Sequence, residues 1–168
     1  EATQQEIDKI SLLKNPQQAI AVFYQPENNI NDVNFSAELA LVLDGIQDPG
    51  NLGTIIRIAD WYGIKNIICS NDCVDVFNPK TIQATMGSFA RVDVYYTDLA
   101  ETLKYNSLPV YGALMQGESL YQSGKGISED LLVYISHPIT IPKIGGAESL
   151  NAGIATAIIC DARARFLS

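Results

Sequence analysis

Two hydrophobic rhythms alternate along most of this chain. Residues 39–43 (LALVL) form an unbroken apolar run that stops at the turn signal Asp44-Gly45. Leu52, Ile55, Ile56 and Ala59 then recur at i, i+3, i+4 and i+7, the spacing of one helix face, and Gly63 ends that helix. Residues 66–69 (NIIC) read as the next strand. Asn78-Pro79 opens a second helix toward Met86, with Asn as cap and Pro in the first helical position. Residues 92–96 are β-rich, 98–105 helical and 109–115 a strand. Ser128 with the acids behind it starts a helix over 128–135, residues 139–141 are extended, and the last helix covers 149–166.

Strands and helices in alternation predict an α/β domain, with a mostly parallel sheet flanked by helices on both faces. Its strands are continuous apolar runs, as strands covered on both faces require. In the last helix Leu150, Ala152, Ile154, Ala155, Ala157, Ile158, Ile159 and Cys160 leave almost no polar face. Such a helix is expected to be buried all round, and in a small domain its second face predicts a homodimer. Residues 1–36 depart from the pattern. A strand-like run at 19–24 (AIAVFY) leads into the polar stretch Gln25-Pro26-Glu27-Asn28-Asn29. They are read as the tail of an upstream unit plus a linker, with the main domain at 37–168.

Composition narrows the chemistry. With 168 residues, 47% apolar and 18% charged, the chain can build a core. Eleven Lys and Arg against nineteen Asp and Glu give a net charge of −8, which excludes a protein that wraps nucleic acid by overall charge. Any nucleic-acid contact must come from a local patch or another domain. Three Cys and one His give neither a disulfide framework nor a metal site. The apolar runs are too short to cross a membrane. A chain starting at Glu1 without Met, basic n-region or apolar h-region predicts a trimmed start and a cytoplasmic protein.

Three polar loops follow predicted strands, where ligands sit in open α/β sheets. They run over residues 44–53, 78–91 and 141–151. None carries a Walker pattern or a complete dinucleotide fingerprint, so a phosphate-cradling NTPase is disfavoured.

The first loop reads Leu43-Asp44, then Asp48-Pro49-Gly50-Asn51-Leu52-Gly53, then Arg57-Ile58-Ala59. The third reads Ile141-Pro142-Lys143, then Glu148-Ser149-Leu150-Asn151-Ala152. Together they resemble the first and third motifs of the SpoU–TrmH group of SPOUT RNA methyltransferases, and Ala84-Thr85-Met86-Gly87-Ser88 resembles the second. The resemblance covers residues 39–166. It implies a deep C-terminal trefoil knot, a homodimer, S-adenosylmethionine as cofactor and methyl transfer to a ribose 2′-hydroxyl of tRNA or rRNA.

By that resemblance Arg57, Asn51, Ser149 and Asn151 are the catalytic candidates. Ile141, Pro142, Gly145, Gly146, Ser149, Leu150 and Asn151 hold the cofactor. Arg57, Lys80, Arg91 and Lys143 meet RNA. Phosphate contact and orientation are the first assignment for Arg57, because guanidinium stays protonated; proton removal is the second. Considered alone, Arg57 has an ion pair with Asp60 as its plain alternative, and Asn51 and Ser149 are plain helix caps. His137 reads as structural or exposed, Cys69 and Cys73 as core and loop residues, and Trp61 and Tyr62 as packing or interface residues.

The pattern breaks between Gln122 and Ser123. The family has a strand ending in Gly-Asn-Glu there, which predicts a segment missing from this sequence. Lys143 and Ala152 stand where the family has Met and Val. A non-catalytic RNA-binding module that has lost the cofactor is therefore the alternative. A base-methylating relative fits less well, since Asn151 stands where an Asp would favour it.

Overall fold

The computed structural model describes residues 2–11, 15–26, 28–33, 39–114 and 129–167. The expected cap at Ser128, the end of the fourth strand at Met115 and the break at 122–123 lie outside them.

Helix α1 (Gln4–Ile10) is capped by Thr3 and Glu6 in a reciprocal box. Three parallel strands follow in the order β1 (Ala40–Leu43), β2 (Asn66–Ser70), β3 (Asp93–Thr97), with Leu43 opposite Cys69 and Cys69 opposite Tyr96. Helix α2 (Pro49–Trp61) joins the first pair and α3 (Pro79–Thr85) the second. Helix α4 (Leu99–Lys104) leaves β3 behind an Asp98 cap. Strands β4 (Tyr111–Ala113) and β5 (His137–Ile139) form a second parallel pair. The short α5 (Glu129–Leu132) precedes β5, and α6 (Ala152–Leu167) ends the chain.

Alternation along the strands divides the core between two faces. Leu43, Ile67, Cys69 and Val94 meet Leu52, Ile55, Ile56 and Ala59 of α2 and Cys160 of α6. Ile68 turns the other way, onto Leu99 and Leu131. Both faces of the sheet are thus covered, as its apolar strands require.

Two glycines set how closely the helices approach. A Cβ on Gly53 would lie 2.5 Å from Ala84 Cβ and 2.8 Å from the Thr81 carbonyl oxygen, so α2 and α3 touch through bare backbone. A Cβ on Gly153 would lie 2.9 Å from Thr54 Cγ2, which brings α6 against α2.

Five sequence expectations are corrected. Residues 19–24 form no strand; Val22, Phe23 and Tyr24 are exposed. The isolated apolar run has no neighbouring strand to bond with among the described residues. The fourth strand spans three residues, and the extended stretch near 139 lies at 137–139 instead. The last helix begins at Ala152, not at 149. It is not buried all round in the single chain, since Ile154 is 52% and Ile158 42% exposed.

Candidate active site

Helix α2 starts where the sequence motif places it. Asp48 Oδ1 accepts the Asn51 backbone N–H at 2.7 Å, and Pro49 occupies the first turn, where no hydrogen bond is lost. Asp48, rather than Asn51, is therefore the cap. That leaves the Asn51 side chain for another partner, and it finds one a hundred residues away.

Asn151 Nδ2 donates to Asn51 Oδ1 at 2.7 Å. Asn151 Oδ1 accepts the backbone N–H of Gly153 at 2.9 Å and of Ile154 at 3.3 Å, so it caps α6. The cap fixes which way the Asn151 amide faces. Its oxygen is committed to α6, so its nitrogen must face Asn51. Asn51 in turn presents its oxygen inward and keeps its own Nδ2 donors for a ligand. One hydrogen bond thus joins the first and third sequence motifs, and the closeness of Gly153 to Thr54 holds the two helix starts together.

Ser149 is corrected as a helix cap. It and Leu150 lie in the loop before α6, both exposed, with the cap at Asn151. The loop between β5 and α6 is open. Pro142, Lys143, Gly145 and Gly146 are exposed, Ile141 is half-buried, and a Cβ on either glycine would meet empty space. Thr140 was missed from the sequence. Its hydroxyl, at the head of this loop, is buried with no partner among the described residues. A lone Thr after a strand carries no sequence signal of that kind.

Arg57 is exposed on α2. It does not pair with Asp60, which corrects the plain reading of that arginine. Asp60 is taken by Arg91, whose Nη2 lies 2.6 Å and Nε 3.0 Å from Asp60 Oδ2. The Arg91 fork, followed by Ser88, holds the Asp60 carboxyl below its ordinary range, and Asp60 holds Arg91 above its own. Arg91 is therefore committed to tying the loop after α3 onto α2, and is less available to RNA than expected. Among the described residues Arg57 makes no ion pair. Arg57 and Trp61 lie about one helical turn apart on α2, both exposed, Trp61 at 84%. Lys80 is exposed on α3, its N–H taken by the Asn78 cap.

His137 is exposed and stacks on Tyr111 at 4.7 Å, at the strand starts and so away from these loops. Cys69 and Cys73 are buried and free, as read. No group of three or more His, Cys, Asp or Glu that could hold a metal occurs among the described residues.

Residues 38–161 match the sequence model of the SpoU rRNA Methylase family. The chain is 33% identical over 163 residues to the 23S rRNA (guanosine(2553)-2′-O)-methyltransferase RlmP of Bacillus subtilis, covering 87% of this chain and 64% of that protein. It is 30% identical over 112 residues to the human mitochondrial rRNA methyltransferase 3, covering 64% of this chain and 26% of that one. The chain thus spans less than two thirds of these relatives. Among solved structures, the AdoMet-bound rRNA methyltransferase from Sinorhizobium meliloti superposes with a TM-score of 0.87 at 28% identity, over 99% of this chain and 71% of that one. An RNA methyltransferase of the TrmH family from Porphyromonas gingivalis gives 0.74 at 36% identity, over 92% and 69%.

Proposed function

The chain belongs to the SpoU rRNA methylase family, and from that premise we propose that it transfers a methyl group from S-adenosylmethionine to a ribose 2′-hydroxyl of ribosomal RNA. The observation that carries this reading is the Asn51–Asn151 hydrogen bond, which joins the two motif loops near Arg57, a residue with no ion pair among the described residues.

The β5–α6 loop suits the cofactor. A nucleoside needs an apolar slot and backbone groups along its base edge. Ile141 and the exposed Ile144 and Leu150 offer the apolar surface, the open Gly145-Gly146 backbone lets a base approach, and the Thr140 hydroxyl offers a polar contact. When bound, S-adenosylmethionine supplies an electrophilic methyl on a sulfonium leaving group. The chain's own residues do the rest. Arg57 holds an RNA phosphate and steadies the negative charge that grows on the 2′ oxygen as its proton leaves. Asn51 donates from Nδ2 to orient that oxygen, while Asn151 keeps Asn51 in place. Lys80 and Lys143 add charge for the RNA backbone, which offsets the net charge of −8 only locally. Ser149 lines the cofactor side of the same loop.

Several finer features belong to the same reading. Trp61 on α2 and Ile154 and Ile158 on α6 are large apolar side chains left exposed, which supports a homodimer. The C-terminal segment is assigned the family's knot; the return of α6 onto α2, the helix after β1, supports that assignment. Residues 1–36 are assigned to the end of an upstream RNA-binding domain and its linker, and the protein to the cytoplasm.

Calorimetric titration of the full-length protein with S-adenosylhomocysteine tests the reading. Micromolar binding at one site per subunit, about −8 kcal/mol, is the expected result. A folded protein that binds none is a cofactor-free RNA-binding module instead.

A further inference from the structure

The loops that leave β1 and β2 are tied to each other, and the second of them to β3, by side chains that methyl transfer leaves unused. The Gly45 N–H donates to Ser70 Oγ at 2.9 Å, and Ser70 Oγ donates to Asp72 Oδ1 at 2.5 Å. The Ile46 N–H donates to Cys73 Sγ at 3.2 Å. That sulfur lies 3.3 Å from Ser70 Oγ and 3.5 Å from the Leu43 carbonyl oxygen. The Val74 N–H donates to the Ile46 carbonyl at 2.9 Å. Farther along, Tyr96 Oη accepts the Val76 N–H at 2.7 Å and donates to the Val74 carbonyl at 2.8 Å. Gly45, at φ +63°, turns the chain so that residues 45 and 46 both point their N–H groups at this loop.

We propose that Ser70 and Cys73 are positioning residues, a clasp that fixes the 44–48 loop and through it the register of Asn51 against Asn151. Two residues beyond Ile46 stands Asp48, whose carboxylate caps α2 at Asn51. The path from clasp to site is therefore short: Ser70 and Cys73 hold residues 45 and 46, these place Asp48, and Asp48 sets the helix start that carries Asn51. A transferring group misplaced by about 1 Å loses on the order of a hundredfold in rate, so a loop held at three backbone points matters to transfer. The consequence for catalysis rests on the transfer reading. The mechanical part, clasp to Asn51, does not.

The test uses Ser70→Ala, Cys73→Ala and the conservative Cys73→Ser in the full-length protein. Backbone amide exchange at Gly45 and Ile46 and side-chain amide exchange at Asn151 are followed by NMR. Methyl transfer is measured in parallel. Both alanine variants are expected to speed exchange at all three places by about tenfold while Ile67 and Ile68 stay protected. They are expected to lower kcat about tenfold with the KM for S-adenosylmethionine unchanged, and Cys73→Ser restores both. Unchanged exchange at Gly45 and Ile46 overturns the clasp. Faster exchange with wild-type kcat overturns its positioning role. Should the wild-type protein transfer no methyl at all, the transfer reading has failed, and the Asn151 exchange alone decides: if the variants leave it untouched, the clasp is refuted. If Cys73→Ala does not fold, the half-buried Ser70 carries the test.

Discussion

At the scale of single residues, Arg57 and Cys73 differ in how their surroundings use them. Arg57 faces out with no ion pair among the described residues, while its neighbour Asp60 is saturated by Arg91. Arg57→Ala should therefore leave fold and S-adenosylhomocysteine binding intact and cut methyl transfer by a factor of about a hundred or more, as loss of a charge-stabilising group does. Radiolabel transfer and calorimetry on the same preparation check it; full activity would refute the role. Cys73 is drawn down to about 6, first by the hydrogen bond from Cys69, then by those from Ser70 and the Ile46 N–H acting against burial. Cys69 is pushed up, by the same pair and by burial, so it stays protonated. A thiol depressed in the folded state stabilises above its unfolded value and loses that contribution as pH falls through the folded one. The thermal midpoint should climb with pH between about 6 and 9 and flatten across that window in Cys73→Ser.

At the scale of elements, close helix contacts hold the site. Gly53 allows α2 to rest on α3 backbone, which cannot give way; Gly153 faces side-chain atoms of Thr54 and Asn151, which can shift. Gly53→Ala should cost about 2 kcal/mol, in the range of overpacking, and Gly153→Ala clearly less. Denaturant titration of both variants reads the difference, and equal costs would contradict it. The helices themselves were legible in the sequence. Leu52, Ile55, Ile56 and Ala59 are all buried, and Asn78-Pro79 caps α3 as its spacing predicted. The cap residues of α2 and α6 were not legible. Asp48, Asn51, Ser149 and Asn151 all have capping chemistry, and only backbone geometry selects among them.

At the scale of the whole molecule, the open question is the apolar face that α6 leaves exposed. One side of α6 packs on α2 through Gly153 and Cys160, while Ile154 and Ile158 are exposed, as is Trp61 on α2. Burial of that face in a dimer implies that Ile158→Asp gives a folded monomer with native circular dichroism and halved mass by light scattering. A dimer of unchanged mass would place the interface elsewhere.

The order of strands and helices, the motif loops and the family itself were set by local features: hydrophobic period, capping chemistry and motif spacing all act within a few residues of one another. The reading failed where a property depends on distant neighbours. The run at 19–24 has strand composition but no strand beside it. The fork of Arg91 on Asp60, 31 residues away, left no trace in the sequence. Asn51 meets Asn151 across 100 residues. Only the tertiary structure decides such pairings, because a hydrogen bond or an ion pair depends on distance in space, and sequence spacing fixes that distance only within a single element.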